Sequence, residues 1–129
     1  MKFRVWDKVK QEFFKPTYKA YEGKLEYLQI GMEGRLNRII LNECNELEVE
    51  DESIFVGRYE VMQCTGRIDE DGIEMYAEDI ISDDQGLAVI KNGPGGFTVS
   101  GLPLVEVSNY GMKVVGNVYE NPEFMEVNP

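Results

Sequence analysis

Acids crowd the run QCTGRIDEDGIEMYAEDII from Gln63 to Ile81, among them Asp69, Glu70, Asp71, Glu74 and Asp79. Carboxylates this close have two chemical uses, holding a divalent cation or working as an acid–base pair on a glycosidic bond. An EF-hand loop needs acids at positions one, three and five, Gly at six and a bidentate Glu at twelve. Counted from Asp69, position three is Asp71, but position five is Ile73 and position six is Glu74. Counted from Arg67, Gly72 falls into place and the first ligand is lost. The loop pattern fails. A looser magnesium site would have to draw Asp69, Asp71, Asp79 and Asp83 together from a turn and the far end of the strand beyond it. For an acid with a raised pKa, Asp79 is the best placed, with Tyr76 before it and Ile80-Ile81 after it. Each acid also has a plainer use. Asp69-Glu70-Asp71-Gly72 makes a tight turn, with Asp opening it and Gly taking positive φ near its end, while Asp79 can accept backbone N–H bonds at a corner. The structural roles are the expected ones, and no catalytic residue, metal or cofactor is assigned.

Other chemistry is thinly supplied. The chain has no histidine, which removes the usual general base of Ser and Cys hydrolases and the commonest zinc ligand. Cys44 and Cys64 lack metal-ligand spacing and are expected to be free, half-buried thiols. Asn92-Gly93-Pro94-Gly95-Gly96 lacks the Gly-Lys-Ser/Thr ending and the following helix of a phosphate loop, so it reads as a hairpin tip.

The net charge of −11 is unevenly spread. Residues 1–42 carry nine Lys/Arg against five Asp/Glu, whereas residues 43–84 carry fifteen acids against Arg58 and Arg67 alone. Such a belt repels phosphates, so direct nucleic-acid binding is disfavoured. It is ordinarily a solvated face. Its sharper reading is an acidic DNA mimic that occupies a host DNA-binding protein.

The elements that would position these residues are short. At 129 residues the chain suits one domain, or one domain with an appended lobe. Lys2 to Asp7 alternates like a strand, Lys8 to Gln11 turns, and Glu12-Phe13-Phe14 returns until Pro16. Tyr27 to Ile30 and Arg38 to Leu41 are further apolar runs, with Gly31 and Gly34 arguing against one long helix. Asn42 to Ser53 reads as an acidic connector whose apolar content is too thin for a helix face. Beyond it, Arg58–Thr65, Ile73–Tyr76, Gly86–Lys91, Phe97–Ser100, Leu104–Val107 and Met112–Tyr119 are strand candidates separated by turn chemistry. The expected fold is mainly β with some α+β character, a small antiparallel barrel or roll. No apolar run approaches the roughly 20 residues that span a bilayer. The charged, alternating N-terminus is unlike a signal peptide, so a cytoplasmic protein is expected.

With those segments in place, the sequence resembles the YopX family of phage and prophage proteins. KFRVWDK (Lys2–Lys8), VMQCTGRIDEDGIEMYAEDII (Val61–Ile81) and VVGNVYENPEFM (Val114–Met125) carry the resemblance, in family order and near both ends of the chain. The matching positions are Trp6, Asp7, Gln63, Thr65, Gly66, Gly72, Tyr76, Asp79, Gly116, Asn117, Tyr119, Asn121 and Pro122. Two positions depart. Cys64 replaces a common aromatic residue, and Glu78 replaces Gly before Asp79; Glu avoids positive φ, so the resemblance does not carry over the detailed backbone there. Residues Lys15 to Arg58 show no family pattern. The resemblance implies a mostly-β protein, an SH3-like C-terminal part and a phage or prophage origin in a bacterial host. It implies no activity, and its signature residues are expected to serve the fold.

The resulting expectation is an N-terminal β-hairpin lobe with the acidic connector over 1–57 and a C-terminal barrel over 58–129. Its function would be that of a non-enzymatic module binding a host or phage protein. Trp6 and Tyr119 have a minor reading as peptide anchors, and core packing as the major one. The alternatives are a metal-dependent hydrolase of nucleic acid using Asp69, Asp71 and Asp79, and the DNA mimic. Edge strands of a small barrel can pair between chains, so a homo-oligomer is among the expected assemblies.

Overall fold

Alternating residues and frequent turn formers break this chain into short strands. The computed structural model describes residues 2–108 and 110–125. The strands are β1 (Phe3–Asp7), β2 (Glu12–Phe13), β3 (Thr17–Lys19), β4 (Lys24–Ile30), β5 (Leu36–Leu41), β6 (Leu47–Asp51), β7 (Tyr59–Ile68), β8 (Glu74–Tyr76), β9 (Asp79–Asp83), β10 (Gly86–Gly93), β11 (Gly96–Val99), β12 (Leu102–Pro103) and β13 (Lys113–Asn117). Four single 3-10 turns, at Ala20–Glu22, Glu52–Phe55, Leu104–Glu106 and Pro122–Met125, are the helical segments among the described residues. No helix is long and apolar enough to cross a membrane among these residues. The protein is mainly β, as expected. The chain forms two compact units, Met1–Trp6 with Val61–Pro129, and Asp7–Glu60.

The first unit is built on a five-stranded sheet, ordered β12-β11-β10-β9-β13, with β1, β7 and β8 side by side in a smaller one. β10 pairs antiparallel with β9 (Val89 opposite Ile80, Gly86 opposite Asp83) and with β11 (Ile90 opposite Val99, Gly93 opposite Gly96). The expected tip at Pro94-Gly95 therefore closes a hairpin. Met75, Ile81, Ile90, Val99, Leu104 and Met112 form the core, with Ala88, Phe97, Val107 and Val114 packed against it. Each fully buried aliphatic side chain of this size contributes roughly 1.5–3 kcal/mol. Two local features differ from the sequence reading. Leu104–Val107 is not a strand: Pro103 has no N–H to extend a ladder, and Leu104–Glu106 closes a 3-10 turn that buries Leu104. Asp79–Asp83 is itself a central strand, with Asp79, Ile80 and Ile81 all buried.

The second unit is an antiparallel sheet ordered β3-β4-β5-β6. Its registers (Tyr18 opposite Leu25, Tyr27 opposite Ile39, Ile39 opposite Val49, Leu41 opposite Leu47) line up one apolar face. On the other face Arg38 ion-pairs with Glu26 and Glu50 from the two flanking strands. Phe14 and Phe55 both meet Tyr59 edge-on, at 6.1 and 5.2 Å. The segment read as an acidic connector contains a strand. Leu47 and Val49 alternate with Glu48 and Glu50, a period of two, and an edge strand needs no more apolar content than that. Both cysteines are free; Cys64 is half-buried, but Cys44 is exposed because it sits in the turn before β6.

Candidate functional site

Asp69 tops the β7–β8 hairpin with its carboxylate turned inward, and it is 2% exposed. One oxygen accepts the main-chain N–H groups of Asp71 (2.9 Å) and Ile73 (2.8 Å), and the other accepts Val114 N–H (2.9 Å). Gly72, at φ +83°, donates back to Asp69 O, which is the expected turn. Burial alone would raise this carboxyl, but the N–H groups of Val114, Ile73 and Asp71 outweigh it and hold it below the ordinary carboxylate value. Asp71 is exposed on the rim.

Asp79 opens β9 and is 1% exposed. One oxygen accepts Tyr76 N–H at 2.8 Å, fixing the corner, and the other pairs with the Arg4 guanidinium from β1. That guanidinium lies 4.3 Å from the centre of the Tyr76 ring, a cation–π stack. Burial pushes the Asp79 carboxyl up, against the pull of Tyr76 N–H and Arg4. Glu78 takes a positive φ, +73°, a conformation that Glu ordinarily avoids. Two bonds impose this conformation: Glu78 N–H donates to Ile90 O (2.7 Å) and Val118 N–H donates to Glu78 O (3.1 Å).

The other signature residues are also tied into the chain. Asp7, 2% exposed, accepts the N–H groups of Val9 and Lys10 and both Nε and Nη2 of Arg58. Gln63 O accepts Ala77 N–H, while Thr65 Oγ1 donates to Met75 O and accepts from Arg67 N–H. Gly66 takes φ +80°. Buried Asn117 caps the end of β13, its Oδ1 accepting from Tyr119 and Glu120 N–H, and Asn121 Oδ1 accepts Asn117 N–H at 3.3 Å. A Cβ on Gly116 would lie 2.2 Å from that same Asn121 oxygen, so only Gly allows the approach. Tyr119 stacks on Trp6 at 6.3 Å, and Pro122 starts the following 3-10 turn.

Trp6 is buried, which leaves its indole no open face for a peptide. Among the described residues no three His, Cys, Asp or Glu side chains stand together in a way that would hold a metal. Asp69 and Asp79 are committed to different main-chain donors, and Asp83 accepts Gln85 N–H. Shallow depressions lie on the second unit. One is bounded by Glu26 and Arg38, another by Arg35 and Asp51, and in both the arginine is already ion-paired. The acidic belt is likewise partly neutralised: Glu50 and Asp51 face Arg38 and Arg35, Glu60 faces Lys8, Glu74 faces Lys2 and Glu78 faces Lys91.

What remains open is the apolar face of β3–β6. Tyr18, Leu47 and Val49 at its two edges are 64–65% exposed, beside half-buried Leu25, Tyr27 and Leu41 and buried Ile39. Sequence reasoning passed over β6 and Arg4. The period-two pattern of Leu47 to Glu50 was the available signal for the first. For Arg4, no local pattern points to a carboxylate 75 residues away.

The family model described as YopX protein matches residues 2–126. Solved structures share the fold, two of them as follows. Protein EF1440 from Enterococcus faecalis is 23% identical with a TM-score of 0.59, over 96% of each chain. Protein yopX from Bacillus subtilis is 21% identical with a TM-score of 0.59, over 95% of each chain. No curated protein matches.

Proposed function

The chain belongs to the YopX family, and from that premise we propose that it is a non-enzymatic protein-binding module. On this reading it is a cytoplasmic accessory protein of phage or prophage origin, its C-terminal part an SH3-like roll, and its partner a host or phage protein. The observation that carries the reading is the open apolar face of the β3–β6 sheet. Tyr18 at one edge of an ordered sheet and Leu47 and Val49 at the other stand largely in solvent on the same side, and exposed apolar surface is a common mark of a protein contact. The commitment of Asp7, Asp69 and Asp79 to donors within the chain supports it from the other side, since a catalytic carboxylate has to reach a substrate or ligand.

The test is capture of partners from nuclease-treated host lysate at low and high salt, followed by titration of the purified candidate into the chain. A stoichiometric protein partner is expected. Calorimetric titration with Mg²⁺, Mn²⁺ and Ca²⁺ separates the hydrolase alternative, which requires saturable metal heat and nucleic-acid cleavage. A partner competed away by duplex DNA, with affinity falling steeply in salt, would instead make the chain a DNA mimic.

A further inference from the structure

We propose that the outer edge of β6 is a docking strand for an extended basic segment of a partner protein, which adds to the sheet beside β6. This rests on the protein-binding reading above and names the surface and the chemistry of the partner. β6 is the last strand in the order β3-β4-β5-β6. Asn42 N–H donates to Glu46 O at 2.9 Å, so along the β5–β6 ladder the pairs Ile40–Glu48 and Arg38–Glu50 are the hydrogen-bonded ones. The main-chain N–H and C=O groups of Leu47 and Val49 therefore point away from β5. Edges are commonly blunted by charged side chains, above all Lys, by Pro or by a bulge. β6 reads Leu-Glu-Val-Glu-Asp and pairs with β5 in unbroken register, so it has no Lys, Pro or bulge; its charges are all acidic, which turns away acidic strands and favours a basic one.

The side chains say what fits. Leu47 and Val49 extend the apolar face, and Glu48 and Glu50 lie on the opposite side. From Glu43 to Glu52 there are six acids and no Lys or Arg. Arg38 and Arg35 reach across to Glu50, Asp51 and Glu52, but among the described residues Glu43, Glu46 and Glu48 form no ion pair. A second copy of the chain fits poorly. Antiparallel pairing of β6 with itself that keeps the apolar faces together sets Glu48 against Glu50 or against itself, and like charges directly opposite are destabilising. The complementary strand alternates apolar residues with Lys or Arg, main-chain bonds supplying affinity and the alternation supplying choice.

The test uses the full chain and three probes: a ten-residue peptide alternating Val and Lys, the same peptide with Glu for Lys, and a scrambled basic peptide. Val49→Pro removes an outward N–H without touching the β5 ladder, and Glu48→Lys reverses the charge; circular dichroism checks that both fold. The alternating basic peptide should bind and slow amide exchange at Leu47 and Val49. Val49→Pro should weaken it at least tenfold, and Glu48→Lys should shift preference toward the acidic peptide. Absence of binding, equal binding of the scrambled peptide, or binding indifferent to both variants overturns the inference. So does a dimer of the wild-type chain that Val49→Pro dissociates, which would make a second copy the occupant. If a lysate partner is captured equally by Val49→Pro, the β6 site fails while the protein-binding reading stands. If wild type captures none, that reading fails first.

Discussion

Asp69 in the β7–β8 turn accepts the main-chain N–H of Val114 in β13, 45 residues later, at 2.9 Å. A turn acid thus fastens a hairpin to a distant strand. Its other oxygen closes the turn, so the carboxylate works as an anchor with its lone pairs spoken for.

Removing that anchor leaves the part-buried N–H groups of Asp71, Ile73 and Val114 without their acceptor. Asp69→Ala should cost about 2–4 kcal/mol, since an unsatisfied buried donor costs roughly 1–3 kcal/mol and the turn partly relaxes. Urea unfolding measures this. A variant as stable as wild type would place Asp69 in some role other than the fold.

Acid should weaken the protein through the same groups. Asp69 and Asp7 have folded pKa values held below the ordinary carboxylate value. Their stabilisation is therefore complete above the unfolded value of about 4 and is lost as pH falls through the folded values. Asp79, pushed up by burial, works in the opposite sense and loses stability as pH rises from about 4 to its folded value. Urea midpoints against pH should fall below about pH 4, and Asp69→Asn should flatten that fall. A wild-type midpoint independent of pH in this range would contradict the assignment.

Glu78 holds a left-handed conformation for which glycine is suited. Glu78→Gly should stabilise the protein by about 0.5–1 kcal/mol by relieving it. The lost pair with Lys91 offsets little, because the lysine is 60% exposed. A lower melting temperature for Glu78→Gly would show that Glu78 does more than occupy the turn.

Gly116 and Gly95 offer a paired control. Gly116→Ala should displace the Asn121 side chain from Asn117 N–H and cost about 1–3 kcal/mol, whereas Gly95→Ala meets nothing within 4 Å and should be nearly neutral. Equal melting temperatures for the two variants would count against the close approach.

How much of this the sequence disclosed depended on distance along the chain. The Asp69-to-Gly72 turn and the Asn92-to-Gly96 tip were legible because four or five consecutive residues determine a tight turn. Strand β6 was missed because thin apolar content was tested against a helix face rather than against a period of two. Leu104 was placed in a strand by its hydrophobicity, and Pro103 before it decided otherwise. The Arg4–Asp79 pair and the Trp6–Tyr119 stack join residues far apart in sequence, and no local pattern encodes which strands become neighbours.

The central claim is that the outward face of the β3–β6 sheet, and not the carboxylates of the hairpin, carries the function. The most direct measurement is calorimetric titration of the purified lysate partner into wild type and into a folded Leu47→Ser/Val49→Ser variant, each with and without EDTA. The account predicts wild-type binding unaffected by EDTA and weakened at least tenfold in the variant. Binding that requires a divalent metal, or that is unchanged in the variant, would contradict it.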